Sequence, residues 1–122
     1  MSIYVTFLGT AGAIPTNQRS LPAVLLQRGN EQFLFDCGEG AQRQMIKAKT
    51  GFHKKLKILI THMHGDHVLG LPGLLQTMTL MDRQKPVEIY GPVGTAHFLD
   101  CLQESLQFAL TYPLEIHEIS EA

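Results

Sequence analysis

The stretch Thr61-His62-Met63-His64-Gly65-Asp66-His67 sets three imidazoles and a carboxylate within six positions. It directly follows Leu56-Lys57-Ile58-Leu59-Ile60, a short apolar run that reads as a buried strand. The cluster therefore stands where a strand ends and a loop begins, the place where open α/β sheets bind their ligands. If the chain stays extended past Ile60, His62 and His64 point the same way and can pinch one metal ion. Gly65 permits a sharp change of direction, after which Asp66 and His67 can face a second ion. Imidazole nitrogens with one carboxylate suit zinc first, then manganese or iron. Two neighbouring ions can clamp a phosphoryl group during displacement. The plain alternative is a solvated, histidine-rich turn, and it loses because the residues are so tightly patterned. His53, His97 and His117 lack such a context and are read as surface or packing residues.

Upstream, Ile3 to Leu8 reads as a strand broken by Gly9-Thr10-Ala11-Gly12-Ala13-Ile14-Pro15. Two glycines and a proline suit a loop whose backbone approaches something closely. Ala23 to Gln27 and Gln32 to Phe35 read as a hairpin turning at Gly29-Asn30. The second of these strands ends at Asp36-Cys37-Gly38, so Asp36 is aimed at the loop after the neighbouring strand. A carboxylate there can accept a hydrogen bond from a ligand histidine and fix its tautomer; a turn-forming aspartate is the alternative. Ala41 to Lys49 reads as a helix with Met45 and Ile46 available to pack inward and Gly51 as its stop.

Downstream, Asp66 to Met81 reads as helical in two pieces, because Pro72 suits a first turn better than an interior. Leu71, Leu74, Leu75 and Met78 share one face, and Met78 and Met81 are core filler rather than ligands. Val87 to Tyr90 is a short strand closed by Gly91-Pro92. Thr95 to Phe108 is an amphipathic helix carrying Phe98, Leu99, Leu102, Leu106 and Ala109. Leu114 to Ile119 alternates apolar and polar residues, as a half-exposed strand does. Strands alternating with helices after an early hairpin give an α/β class.

Composition sets outer limits. A chain of 122 residues with 44% hydrophobic and 17% charged residues is one modest globular domain. The net charge of −1 excludes a generic polyanion binder. Six of the ten basic residues (Arg43, Lys47, Lys49, Lys54, Lys55, Lys57) nevertheless fall in one window, with no acidic residue between Glu39 and Asp66. Such a face can meet phosphate, although charge runs are more often simply solvated. Two distant cysteines, Cys37 and Cys101, imply reduced thiols rather than a disulfide framework, and hence a cytoplasmic setting. The N-terminus has no signal-peptide pattern, and no apolar run reaches membrane-spanning length.

The cluster His62-Met63-His64-Gly65-Asp66-His67 matches the HxHxDH signature of the metallo-β-lactamase superfamily. Together with Phe7-Leu8-Gly9-Thr10, Leu34-Phe35-Asp36-Cys37-Gly38-Glu39, Leu71-Pro72-Gly73-Leu74 and Ile89-Tyr90-Gly91-Pro92, the chain resembles ribonuclease Z, the endonuclease that removes 3′ trailers from precursor tRNA. The resemblance implies the first half of an αββα sandwich, one mixed β-sheet with flanking helices, over residues 1–122. It implies two Zn2+ ions, with His62 and His64 on one and Asp66 and His67 on the other. Asp66 would also be the general base, and Asp36 the buried carboxylate supporting the site. Pro15 and Arg19 match a PxKxRN motif that senses the tRNA 3′ end, whereas Asn17 and Ser20 replace its Lys and Asn. A homodimer acting on precursor tRNA is the implied assembly. The family's later histidines, bridging aspartate and tRNA-gripping arm have no counterpart in these residues. One sheet alone would also leave an apolar inner face exposed. Two other readings remain open: a different hydrolase of this fold, acting on esters, thiolesters or cyclic nucleotides, and an inactive half-domain that binds a partner or dimerises through its uncovered sheet.

Overall fold

The computed structural model describes residues 2–107 and 109–120. Six strands form one mixed sheet in sequence order: β1 (Ile3–Gly9), β2 (Ala23–Arg28), β3 (Glu31–Phe35), β4 (Lys55–Leu59), β5 (Val87–Pro92) and β6 (Leu114–Ile119). The first two pairings are antiparallel and the last three parallel. The Gly29-Asn30 turn joins β2 and β3 with Arg28 opposite Glu31, and Gly29 takes a positive φ of 58°, as a two-residue hairpin requires. The parallel strands need crossovers, supplied by α1 (Ala41–Ala48), by α2 (Gly65–Val68) with α3 (Leu71–Leu80), and by α4 (Thr95–Leu106).

Register divides the sheet into rows. Thr6, Leu25, Leu34, Ile58, Ile89 and Ile116 stand side by side across all six strands. Leu25, Leu34, Ile58 and Ile89 are fully buried there beneath Met45, Leu71, Leu74, Leu75, Met78 and Leu99 of the helices. All four helices of the described residues contribute to this one core. The opposite row runs Phe7, Val24, Phe35, Leu59, Tyr90, His117. No helix covers it among the described residues, and Phe7 is 70% exposed. The next row on that face passes from Val5, Leu26 and Phe33 to Lys57, Glu88 and Glu115. The bare inner face expected of one isolated sheet is therefore present, apolar toward the hairpin and charged toward β6.

Several local expectations are corrected. The first helix stops at Ala48, one residue short of the expected Lys49: Lys49 adopts φ 56°, its N–H donates to Ile46 O, and Thr50 N–H donates to Met45 O. Those bonds satisfy carbonyls of the last turn, so Lys49 rather than Gly51 takes the left-handed capping conformation. Ile46 faces solvent at 58% exposure while Met45 is fully buried, because adjacent helical positions lie about 100° apart. Strand β5 continues through Gly91 and Pro92, which pair with Glu118 and Ile119 of β6. Helix α4 ends at Leu106, where Gln107 takes φ 52°; Ala109 lies beyond it, and Phe108 is outside the described residues. The two-piece reading of Asp66 to Met81 holds as α2 and α3, with Pro72 in the first turn of α3.

Candidate metal centre

Strand β4 delivers the histidine stretch to the C-terminal end of the sheet. Ile60 N–H still donates to Tyr90 O, so the chain remains extended one residue past the strand. His64 is the N-cap of α2, with an extended ψ of 146°, and the helix begins at Gly65. The turn is clamped to the loop after β3 by backbone bonds: Cys37 N–H donates to His67 O at 2.8 Å and Gly70 N–H to Cys37 O at 2.9 Å. This contact requires glycine. A β-carbon on Gly70 would sit 2.0 Å from Gly38 O, and one on Gly38 would sit 2.8 Å from Asp66 O. Burial, aided by the Asp36 charge, pushes the Cys37 thiol well above its ordinary range, leaving it a packed and unreactive group.

This framework brings His62, Asp66 and His67 together. Each offers a ligand atom, and those atoms lie within 4.8 Å of one another. The His62 and His67 rings are 3.8 Å apart between centroids. His64 stands outside that group; its exposed ring meets His62 edge-on at 4.6 Å. Asp66 is half-buried, and its Oδ2 lies 3.5 Å from His67 Nε2. The same Oδ2 accepts a hydrogen bond from Ala13 N–H at 3.2 Å, which ties the Gly9–Ser20 loop to the cluster. Pro15 and Arg19 are exposed on that loop, and its far end is shaped by Thr16 Oγ1, which accepts from Arg19 N–H at 2.9 Å.

Asp36 lies beneath the histidines. It is buried, with φ 62°, and its own N–H donates to Leu59 O. Oδ1 accepts from Thr61 N–H at 2.8 Å, and both carboxylate oxygens lie within 3.0 Å of Thr61 Oγ1. His67 Nδ1 is 2.9 Å from Asp36 Oδ2. That approach is close in distance but does not have the direction of a hydrogen bond. With Nδ1 facing Asp36, His67 turns Nε2 toward Asp66, and two imidazoles and a carboxylate so placed fit a divalent metal's donor set.

Ala13 and Thr61 are the contacts that the sequence reading missed. Ala13 acts through its backbone and so carries no side-chain signal. Thr61 belongs to the histidine stretch itself, and its signal was a hydroxyl immediately before a ligand-type histidine. The other three histidines make contacts of their own. His53 Nε2 is 2.9 Å from Met81 O, His97 is exposed on α4 beside Cys101 Sγ, and His117 stacks on Tyr90 with centroids 4.7 Å apart. The surface or packing roles expected of these three fit those positions. Cys37 and Cys101 are both free thiols. No helix among the described residues is long and apolar enough to cross a membrane.

Comparison with known proteins gives consistent results. The family model described as anti-Pycsar protein Apyc1 matches residues 3–119. Ribonuclease Z of Natronomonas pharaonis is 50% identical over 121 residues, covering 99% of this chain and 39% of that protein. Ribonuclease Z of Methanosarcina acetivorans is 50% identical over 113 residues, 93% of this chain and 36% of that protein. The crystal structure of human tRNase Z, short form, superposes with a TM-score of 0.90 at 44% identity, covering 97% of this chain and 46% of that one. The metallo-β-lactamase fold protein YhfI from Bacillus subtilis superposes with a TM-score of 0.73 at 19% identity, covering 97% of this chain and 47% of that one, a likeness of fold. The chain spans about two fifths of the length of the ribonuclease Z proteins it matches. With a mixed sheet of this order, helices on one face and a histidine–aspartate cluster at the strand ends, the chain belongs to the family described as anti-Pycsar protein Apyc1, has the metallo-β-lactamase fold, and is similar to ribonuclease Z over about two fifths of that protein's length.

Proposed function

We propose that residues 1–122 are the N-terminal, metal-binding half of a ribonuclease Z, a zinc-dependent endoribonuclease that removes 3′ trailers from precursor tRNA by phosphodiester hydrolysis. The observation that carries this is the convergence of His62, Asp66 and His67 within 4.8 Å, in a sequence 50% identical to ribonuclease Z over nearly its whole length. His62, His64, Asp66 and His67 are the proposed zinc ligands, divided between two ions, with Asp36 supporting them. Zinc, when bound there, supplies Lewis acidity and eases removal of a proton from water near neutral pH. Asp66 is the base that receives the proton of the attacking water, and Ala13 N–H holds its Oδ2 for that task. Pro15 and Arg19, exposed on the same loop, meet the tRNA 3′ end. Part of the basic window between Arg43 and Lys57 holds the RNA backbone by charge. Catalytic zinc has about three protein ligands each, so residues beyond this half complete both shells. A homodimer in the cytoplasm is the proposed working form.

The test joins residues 1–122 to the C-terminal segment of a matching ribonuclease Z and assays a precursor tRNA carrying a 3′ trailer. Release of the intact trailer, abolished by Asp66→Asn, is the expected result. No tRNA cleavage by a folded, zinc-loaded chimera overturns it. A second reading, another hydrolase of this fold acting on esters, thiolesters or cyclic nucleotides, stays open because the matching family model carries a name other than ribonuclease Z. Turnover of one of these but not precursor tRNA by that chimera would establish it in place of the first.

A further inference from the structure

We propose that Thr61 is a positioning residue whose hydroxyl links Asp36 to His62 and so selects the His62 ring nitrogen that is free to bind a metal. Thr61 Oγ1 lies 3.0 Å from Asp36 Oδ1, 2.9 Å from Asp36 Oδ2 and 2.9 Å from His62 Nδ1. A hydroxyl has one proton to donate and two lone pairs with which to accept, whereas an ionised carboxylate only accepts. Two oxygen–oxygen approaches this short need a proton between them, so the Thr61 proton is directed at Asp36. Toward His62, Oγ1 then presents only lone pairs. A nitrogen 2.9 Å away must therefore carry the proton, which makes Nδ1 the N–H of the neutral ring. Neutral imidazole has a single N–H, and Nε2 is left with its lone pair exposed.

The geometry gives the local sequence a reason. The Thr61 backbone N–H also donates to Asp36 Oδ1 at 2.8 Å. One residue thus reads the carboxylate through both backbone and side chain. His67, by contrast, approaches Asp36 directly at 2.9 Å. A single carboxylate therefore addresses two ligand-type histidines, one through space and one through a hydroxyl. The consequence for metal affinity rests on the metal-centre reading above; the assignment of the proton does not.

The decisive measurement is a long-range proton–nitrogen correlation spectrum of the 15N-labelled chain, free of metal and above the ordinary imidazole range of about 6.5. His62 is expected as the Nδ1–H tautomer. Thr61→Val keeps the branched shape and removes the hydroxyl; it should move His62 to the Nε2–H form and weaken zinc binding about 10–100-fold. Thr61→Ser should restore both. An Nε2–H ring in the unsubstituted protein, or an unchanged tautomer in Thr61→Val, overturns the proposal. If Thr61→Val does not fold, the spectra of the unsubstituted and Thr61→Ser proteins still decide, since both must show Nδ1–H. An Nδ1–H ring in a chain that binds no zinc would uphold the relay and refute the metal centre.

Discussion

Two polar clusters occupy opposite ends of the parallel strands, and they are built on opposite terms. At the N-terminal ends of β4 and β5, Arg83 is completely buried. Its Nε donates to Lys85 O, its Nη1 to Phe52 O and Lys54 O, and its Nη2 to Pro86 O, all between 2.8 and 2.9 Å. Every acceptor is a backbone carbonyl, and the guanidinium also lies 5.9 Å from the centroid of the Tyr112 ring. At the C-terminal ends, His62, Asp66 and His67 are only half-buried, and His67 Nδ1 lacks an aligned partner. One cluster is closed, with four of the five guanidinium N–H donors bonded; the other keeps unused donor and acceptor capacity. Well-bonded polar groups hold a fold together, while a site for a ligand has to leave bonding capacity open.

The comparison predicts that the two clusters respond differently to loss of a side chain. Arg83→Ala leaves four backbone carbonyls without this partner at once, those of Lys85, Lys54 and Pro86 part-buried and that of Phe52 buried, and removes the tie between the segments that enter β4 and β5. A loss of about 3–5 kcal/mol is expected, read as a large fall in the urea midpoint. Asp66→Asn should leave that midpoint within about 1 kcal/mol, because the amide oxygen can still accept from Ala13 N–H, yet zinc binding should weaken by at least about tenfold. Equal stability losses in the two variants would break the distinction between a clamp and a site.

Little of the Arg83 clamp was legible in the sequence. Arg83-Gln84-Lys85-Pro86 reads as a polar connection, and arginine is rarely buried without a partner. Two of its partners are carbonyls of Phe52 and Lys54, some thirty residues earlier, and carbonyls carry no sequence signal. The strands were legible because apolar alternation and β-branched residues report the face that a side chain buries. The metal cluster was legible because its residue types are rare and closely spaced. Ile46 was misread because an apolar residue beside the buried face is locally indistinguishable from one on it. The Asp36 contact followed from position at a strand end, whereas its path through Thr61 joins residues 25 apart by a hydroxyl and a backbone N–H, a pairing that carries no sequence signal.

A smaller effect comes from the aromatic neighbour of the clamp. Tyr112 is buried, and its hydroxyl donates to Leu75 O at 2.7 Å. Burial is the main reason its pKa is pushed up to about 12, against the lowering effects of a Thr79 hydrogen bond and the Arg83 charge. The unfolded chain titrates near 10, so between about pH 10 and 12 the folded state holds the proton more tightly. Stability from this group is complete below pH 10 and falls as pH rises, by roughly 2–3 kcal/mol across the window. Tyr112→Phe should flatten that alkaline decline in urea titrations, at a cost near neutral pH of about 1 kcal/mol for the lost hydrogen bond. An alkaline slope that survives the substitution would assign the loss to other groups and remove Tyr112 from the clamp.

The smallest effect belongs on the bare face of the sheet. Lys57 Nζ and Glu88 Oε2 pair at 3.7 Å, but the two side chains are 47% and 31% exposed. Water competes for both charges, and holding two long side chains in one geometry costs entropy. Lys57→Ala should therefore change stability by less than about 0.5 kcal/mol, and added salt should erase most of what remains. The residue's place in the row with Phe33 and Glu88 makes this more than a control. If the isolated sheet face is wet, the pair stays weak and salt-sensitive. A salt-insensitive loss above about 2 kcal/mol would mean that water is excluded from this row, and thus that the face is covered in solution. Urea midpoints for Lys57→Ala, Glu88→Ala and the double variant at low and high salt separate these outcomes, since the coupling between the two side chains isolates the pair from each residue's own contacts.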